Sequence, residues 1–307
     1  MSSSFVEARR SAVISIAPIV LPSPGRGVNL HVRVSAPVDG DALPVLIFSH
    51  GNGQSLYAYA PLANYWAAHG FVVIQPTHLD SRTLGLSPDD SRRPYLWRFR
   101  EEDLLAVLDG LDCIEGEAPM IRGRLDRSRI AVAGHSWGGQ TAGTLLGATH
   151  PNPDNGSVID RHDGRIKAGV LLATPGSGEN LTEQAARTFP FMRPDFSTMT
   201  APTLIIMGDH DMGRLSTRGS DWWRDAYDLS PSPKALFTAF GGEHALGGIP
   251  GYEARETTDE RPQRVAAIQR LSTAFLRSAL YPDDFTWAEA VATLTADAAP
   301  EGSIETK

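Results

Sequence analysis

The run Ile130-Ala131-Val132-Ala133-Gly134-His135-Ser136-Trp137-Gly138-Gly139 constrains this chain more than any other stretch. A short apolar, β-branched run passes into Gly-x-Ser-x-Gly, and small residues follow through Ala148. A buried strand, a sharp turn and a helix are therefore expected in series. Ser136 stands at the turn. A serine hydroxyl is a weak nucleophile and reacts only where it is held clear of its own backbone and beside a base. Glycines at 134 and 138 remove Cβ atoms that would collide as strand and helix crowd together. The motif is short, and a glycine-rich turn with no chemistry is the bland alternative, so the rest of the chain must decide.

With 307 residues, of which 41% are apolar, the chain can bury one large α/β core, and a single domain over 1–292 is expected. The formal charge of −8, with no basic run and no Lys/Arg-rich helix, argues against nucleic acid or an anionic membrane as partner. Cys113 is the only cysteine, which excludes an intramolecular disulfide and thiolate metal sites. Met1 to Arg10 is polar, without the charged, apolar, small order of a signal peptide, and the cytoplasm is the expected compartment. Ala12 to Leu21 is apolar, too short to span a bilayer and interrupted by Pro18. The Asn155 and Asn180 sequons are read as ordinary loop residues.

Along the chain, 13–16 and 30–34 read as antiparallel edge strands. The continuous apolar runs at 45–48, 71–75, 130–133, 168–173, 203–207 and 235–240 read as strands buried on both faces of a parallel sheet. Helices are expected at 57–69, 101–114, 139–148, 221–229 and 263–280. This alternation predicts a mostly parallel sheet flanked by helices on both faces. Residues 179–199 offer room for at most a small cap, and 293–307 reads as a loose tail. Arg100 and Asp103, three apart on a helix, are placed so that they could pair, as a structural contact.

Four separated signals now fall at the carboxyl ends of predicted parallel strands, where open α/β sheets bind ligands. They are His50-Gly51-Asn52-Gly53, Gly134-His135-Ser136-Trp137-Gly138, Gly208-Asp209-His210-Asp211 and Gly242-Glu243-His244. In that order the chain, from about Val28 to Leu280, resembles serine hydrolases of the α/β-hydrolase fold. The resemblance implies Ser136 as nucleophile, Asp211 as acid with Asp209 as the alternative, and His244 as base. It also implies backbone N–H donors at Asn52 and Trp137 for the oxyanion. His210 is then a pocket or surface histidine, and His50 and His135 pack beside the site. The segments Phe48 to Gly53 and Trp97 to Asp109 are most similar to the branch of platelet-activating-factor acetylhydrolases, chlorophyllases and dienelactone-hydrolase-related esterases. Asn52 and Trp137 also resemble the halide-holding pair of haloalkane dehalogenases, but those attack with aspartate, and dienelactone hydrolases proper attack with cysteine; position 136 is serine.

Asp209, His210 and Asp211 cannot all face one ion from a strand end, so no metal is expected, and no cofactor. The expected substrate is a small hydrophobic acyl or aryl ester, in an apolar pocket walled by Trp137 with Tyr95, Trp97, Trp222 or Trp223. A lactone, amide, thioester or polyester would suit the same residues, and a catalytically silent ligand-binding module is the non-enzymatic alternative. The oligomeric state is not legible.

Overall fold

The computed structural model describes residues 10–253 and 257–307; most of the polar segment Met1 to Arg10 lies outside them. Two antiparallel strands, β1 (Val13–Leu21) and β2 (Leu30–Pro37), begin the sheet, and the β1 register slips between Ile16 and Ile19, around the proline that cannot donate to the ladder. Then come β3 (Leu43–Ser49), β4 (Val72–Pro76) and β5 (Leu125–His135). A two-residue hairpin, β6 (His150–Pro151) and β7 (Val158–Ile159), lies outside the main sheet. β8 (Ile166–Leu172), β9 (Thr203–Gly208), β10 (Lys234–Ala239) and β11 (Gly302–Thr306) complete it.

The nine main strands run in the order β1-β2-β4-β3-β5-β8-β9-β10-β11. The block from β4 to β10 is parallel, and antiparallel strands close both ends. β3 and β9 are buried along their whole length, which explains their unbroken apolar sequences.

Helices α1 (Ala60–Ala68) and α7 (Pro262–Leu280) pack together on one face, while α2 (Leu96–Asp109) and α4 (Trp137–Leu145) pack together on the other. α7 buries Ile268, Leu271, Phe275 and Leu276 at helical spacing and starts on Pro262, whose missing N–H costs nothing in a first turn. α3 (Leu111–Glu117) is separated from α2 at Gly110, where one helix was expected to end at 114. α5 (Glu183–Thr188) is the α-helix within residues 179–199, and α6 (Asp225–Asp228) follows a 3-10 turn over Ser220–Arg224. No helix among the described residues is long and apolar enough to cross a membrane.

The tail differs from expectation. Residues 293–307 are not loose: α8 (Thr286–Ala296) packs on α7, and β11 pairs along β10 with Ile304 opposite Phe237. Its composition lacks an apolar stripe, so the signal is absent from the sequence. The segment is held by backbone pairing, including both bonds between Lys234 and Lys307, and by the Arg261–Glu301 and Arg224–Glu305 ion pairs.

Candidate active site

Ser136 sits between β5 and α4 with φ 56° and ψ −124°, a strained backbone for a residue with a side chain. Its N–H donates to the Leu172 carbonyl at 2.9 Å. A Cβ at position 134 would lie 2.1 Å from the Gly138 carbonyl oxygen, and one at 138 would lie 2.1 Å from that of Ser49. Both contacts are backbone, so neither glycine can be replaced without moving the turn.

The loop after β10 brings His244 to this turn. Its Nε2 accepts from Ser136 Oγ at 2.9 Å, and its Nδ1–H donates to Asp211 Oδ2 at 2.7 Å. The imidazole is 43% exposed and the carboxylate 2%. A proton can thus pass from the hydroxyl to a ring open to the cleft, while the anion that orients the ring is shielded from water. Asp209 turns elsewhere: its Oδ1 accepts the Gly241 N–H at 2.6 Å, bracing the loop. His210 is exposed. The three residues diverge and do not converge on one point.

The two backbone donors expected for an oxyanion lie beside the hydroxyl. Asn52 and Trp137 line the same cleft as Ser136, and the N–H of neither reaches an acceptor among the described residues. Two further residues hold this geometry. The Gly51 N–H donates to Tyr59 Oη at 3.1 Å, and that hydroxyl donates in turn to His135 Nδ1 at 2.8 Å. His135 Nε2 lies 2.8 Å from the His244 carbonyl, which can only accept, so Nε2 carries the proton and Nδ1 the lone pair. His135 therefore joins the loop of Asn52 to the loop of His244. Burial, reinforced by the neighbouring His244, lowers its pKa to about 3, and it stays neutral. His50 is fixed in the same way: Nδ1–H donates to the Gly51 carbonyl at 2.7 Å and Nε2 accepts from the His78 N–H at 3.0 Å.

The Arg100–Asp103 pair that their spacing allows does not form. Arg100 reaches across to Asp80 at 2.5 Å, and Asp103 is taken by Arg26 at 2.8 Å and by His78 at 2.9 Å. Burial pushes the Asp80 carboxyl up, but Arg100, His50 and the Gly53 N–H together hold it below the usual range.

The cleft over Ser136 has a volume of about 990 Å³. Of the expected walls only Trp137 lines it. Tyr95, Trp97, Trp222 and Trp223 do not, for distinct reasons. Trp97 is one layer back, stacked on Phe191 (6.2 Å), which itself stacks on Trp137 (5.2 Å). Trp222 is fully buried with its indole N–H on the Ser177 carbonyl. Trp223 is also fully buried; it donates to the Asp211 carbonyl at 2.8 Å, and its ring packs 4.9 Å from that of His244. Tyr95 is half-buried under the Arg98 guanidinium. The apolar wall is supplied instead by Phe189, Met192 and Leu215. Arg82, Glu243 and Glu253 face the same space, so the cleft is mixed in polarity and not purely apolar.

A family model described as chlorophyllase matches residues 23–159. Cutinase 1 of Thermobifida cellulosilytica is 30% identical over 217 residues, covering 70% of this chain and 65% of that protein. The cutinase of Thermobifida fusca (strain YX) is 30% identical over 217 residues, covering 70% of this chain and 56% of that protein. The platelet-activating factor acetylhydrolase of Cavia porcellus is 26% identical over 149 residues, 37% of this chain and 34% of that protein. The chain thus spans between about a third and two thirds of the length of these relatives. With the sheet order, the elbow at Ser136 and the hydrogen bonds among Ser136, His244 and Asp211, these matches agree with an α/β-hydrolase fold, and the chain is similar to chlorophyllases, platelet-activating factor acetylhydrolases and cutinases.

Proposed function

We propose that this protein is a carboxylic ester hydrolase that works through an acyl-enzyme on Ser136. The observation that carries the reading is the unbroken line from Ser136 Oγ through His244 to the buried Asp211, opening on a cleft lined by Asn52 and Trp137, whose N–H groups meet no acceptor among the described residues. In the first half-reaction Ser136 Oγ attacks the ester carbonyl as its proton passes to His244 Nε2. The tetrahedral oxyanion is held by the N–H groups of Asn52 and Trp137, each worth a few kcal/mol where charge develops. The carbon–oxygen bond to the alcohol then breaks, and His244 returns the proton to the leaving oxygen. A water deprotonated by His244 opens the acyl-enzyme by the same steps in reverse. Asp211 holds the ring tautomer and stabilises the imidazolium.

Phe189, Met192 and Leu215 suit a hydrophobic acyl or aryl group, while the Arg82, Glu243 and Glu253 side accommodates a more polar part of a small-molecule substrate. The relatives named cutinase favour a polyester as second reading. The deciding experiment is labelling with a fluorophosphonate, beside turnover of matched p-nitrophenyl esters and anilides. Wild type should be modified and Ser136→Ala should not, with esters turned over faster. Equal labelling of both proteins, or faster anilide turnover, would overturn the reading.

A further inference from the structure

The loop that presents Asn52 rests on a buried ion pair that takes no part in the proton path. Arg100, on α2, is completely buried. Its Nη2 donates to the His50 carbonyl, its Nη1 donates to Asp80 Oδ1 at 2.5 Å, and its Nε donates to Thr141 Oγ1 at 3.3 Å. The guanidinium carbon lies over the Trp137 indole, 4.8 Å from the ring centre. The second oxygen of Asp80 accepts the Gly53 N–H at 2.8 Å. Residues 50 and 53, which bracket Asn52, are therefore tied to the two halves of one ion pair. The cationic half also carries the side chain of the residue that offers the other donor.

A buried ion pair is a weak device for stability, because desolvation of both charges offsets much of their attraction, and apolar replacements of similar volume often serve equally well. What this pair supplies is direction. A guanidinium has donors fixed in one plane and a face that stacks on aromatic rings, so it can hold a carbonyl, a carboxylate and an indole at set angles, which an ammonium cannot.

We propose that Arg100 and Asp80 are positioning residues for the oxyanion hole, setting the spacing and aim of the Asn52 and Trp137 N–H groups. The inference rests on the acyl-transfer reading given above. Neither side chain is part of the proton path. Their effect falls on the transition state, where a donor must meet an oxygen that has left the plane of the ester.

The test compares wild type with Asp80→Asn, Arg100→Lys and the double variant Arg100→Met/Asp80→Asn. The double variant leaves no unpaired buried charge and so keeps folding from masking the result. Each is first shown to be folded by circular dichroism and thermal melting. Then kcat and KM on a p-nitrophenyl ester are measured, with the affinity for an alkylboronic acid that forms a tetrahedral adduct on serine. The double variant should lose on the order of 10²-fold in kcat, with KM changed less than about threefold and boronate affinity falling in parallel with kcat. Asp80→Asn, whose amide oxygen still accepts the Gly53 N–H, should retain most of the rate, and Arg100→Lys should fall between. A folded double variant with wild-type kcat, or one whose KM rises while kcat holds, would overturn the proposal. Ser136→Ala run beside it separates the two claims. If wild type and Ser136→Ala take up a fluorophosphonate equally, the nucleophile reading fails; labelling of wild type alone, with an unimpaired double variant, defeats only the positioning role.

Discussion

Tyr59→Phe removes one oxygen atom and leaves the ring in place against Phe48, 4.7 Å away. The packing is kept, so the cost arises from two groups that lose their partner: the Gly51 N–H, bonded at 3.1 Å, and His135 Nδ1, bonded at 2.8 Å. Both residues are buried. A buried polar group stranded in this way costs about 1–3 kcal/mol, so losing both partners should lower the free energy of unfolding by roughly 2–6 kcal/mol. For a chain of 307 residues that corresponds to a fall in Tm of roughly 3–9 °C. Activity should suffer as well, because Gly51 precedes Asn52 and His135 holds the His244 carbonyl; a drop in kcat of about tenfold is expected from loosened positioning. Urea unfolding followed by tryptophan fluorescence, with p-nitrophenyl butyrate kinetics, measures both effects. Tyr57→Phe is the control, since Tyr57 is 55% exposed and should change stability by less than about 0.5 kcal/mol. If Tyr59→Phe matched that control in stability and kept the wild-type kcat, the link from the Asn52 loop through Tyr59 and His135 to His244 would not be structural.

Stability should fall on mild acidification. Burial, aided by Arg100, brings His50 to about 4, and burial, aided by His244, brings His135 to about 3, whereas the unfolded chain protonates both near 6.5. The unfolded state therefore binds more protons between about pH 4 and 6.5. The contribution is complete above pH 6.5 and is lost below it at roughly 2–3 kcal/mol per pH unit. His78 and Asp103 touch at 2.9 Å and shift in opposite senses, burial lowering the first and raising the second, so they offset each other here. Urea titrations from pH 4.5 to 7.5 check this, and a flat profile would contradict it. Asp211→Asn should lower kcat by about 10³–10⁴, while Asp209→Asn, whose amide oxygen can still accept the Gly241 N–H, should cost less than about tenfold. A larger loss in Asp209→Asn would reassign the acid.

The side chains that meet in the line Ser136, His244, Asp211 were legible because each sits in a short motif at the end of an apolar strand, and the order implied by the resemblance to serine hydrolases favoured His244 over His210. The supports were not. Tyr59 and His135 stand 76 positions apart, and Asp80 and Arg100 stand 20 apart on a loop and a helix, with nothing local to mark them as partners. Helical spacing even suggested the wrong pair, Arg100 with Asp103, because it registers which residues share a face and not which neighbour a long side chain reaches. The pocket walls failed for a related reason. Trp222 and Trp223 lie close behind Asp211 in sequence, but large rings following a strand end fill the volume behind the acid as readily as the volume before it. β11 escaped because its stability comes from backbone pairing with a distant strand, which composition does not encode.

Trp137 is held by two contacts to its ring, Arg100 at 4.8 Å and Phe191 at 5.2 Å. For anyone wishing to redesign the specificity of this protein, those contacts mark a side chain to leave alone. Trimming it to admit a bulkier acyl group would also slacken the grip on the His50 to Gly53 loop. Met192 and Leu215 bear on the same cleft without a ring against Trp137, whereas Phe189 packs edge-on against it at 5.9 Å. New substrates can therefore be explored at Met192 and Leu215, by mutations that leave the hydrogen bonds around Ser136 and Arg100 undisturbed.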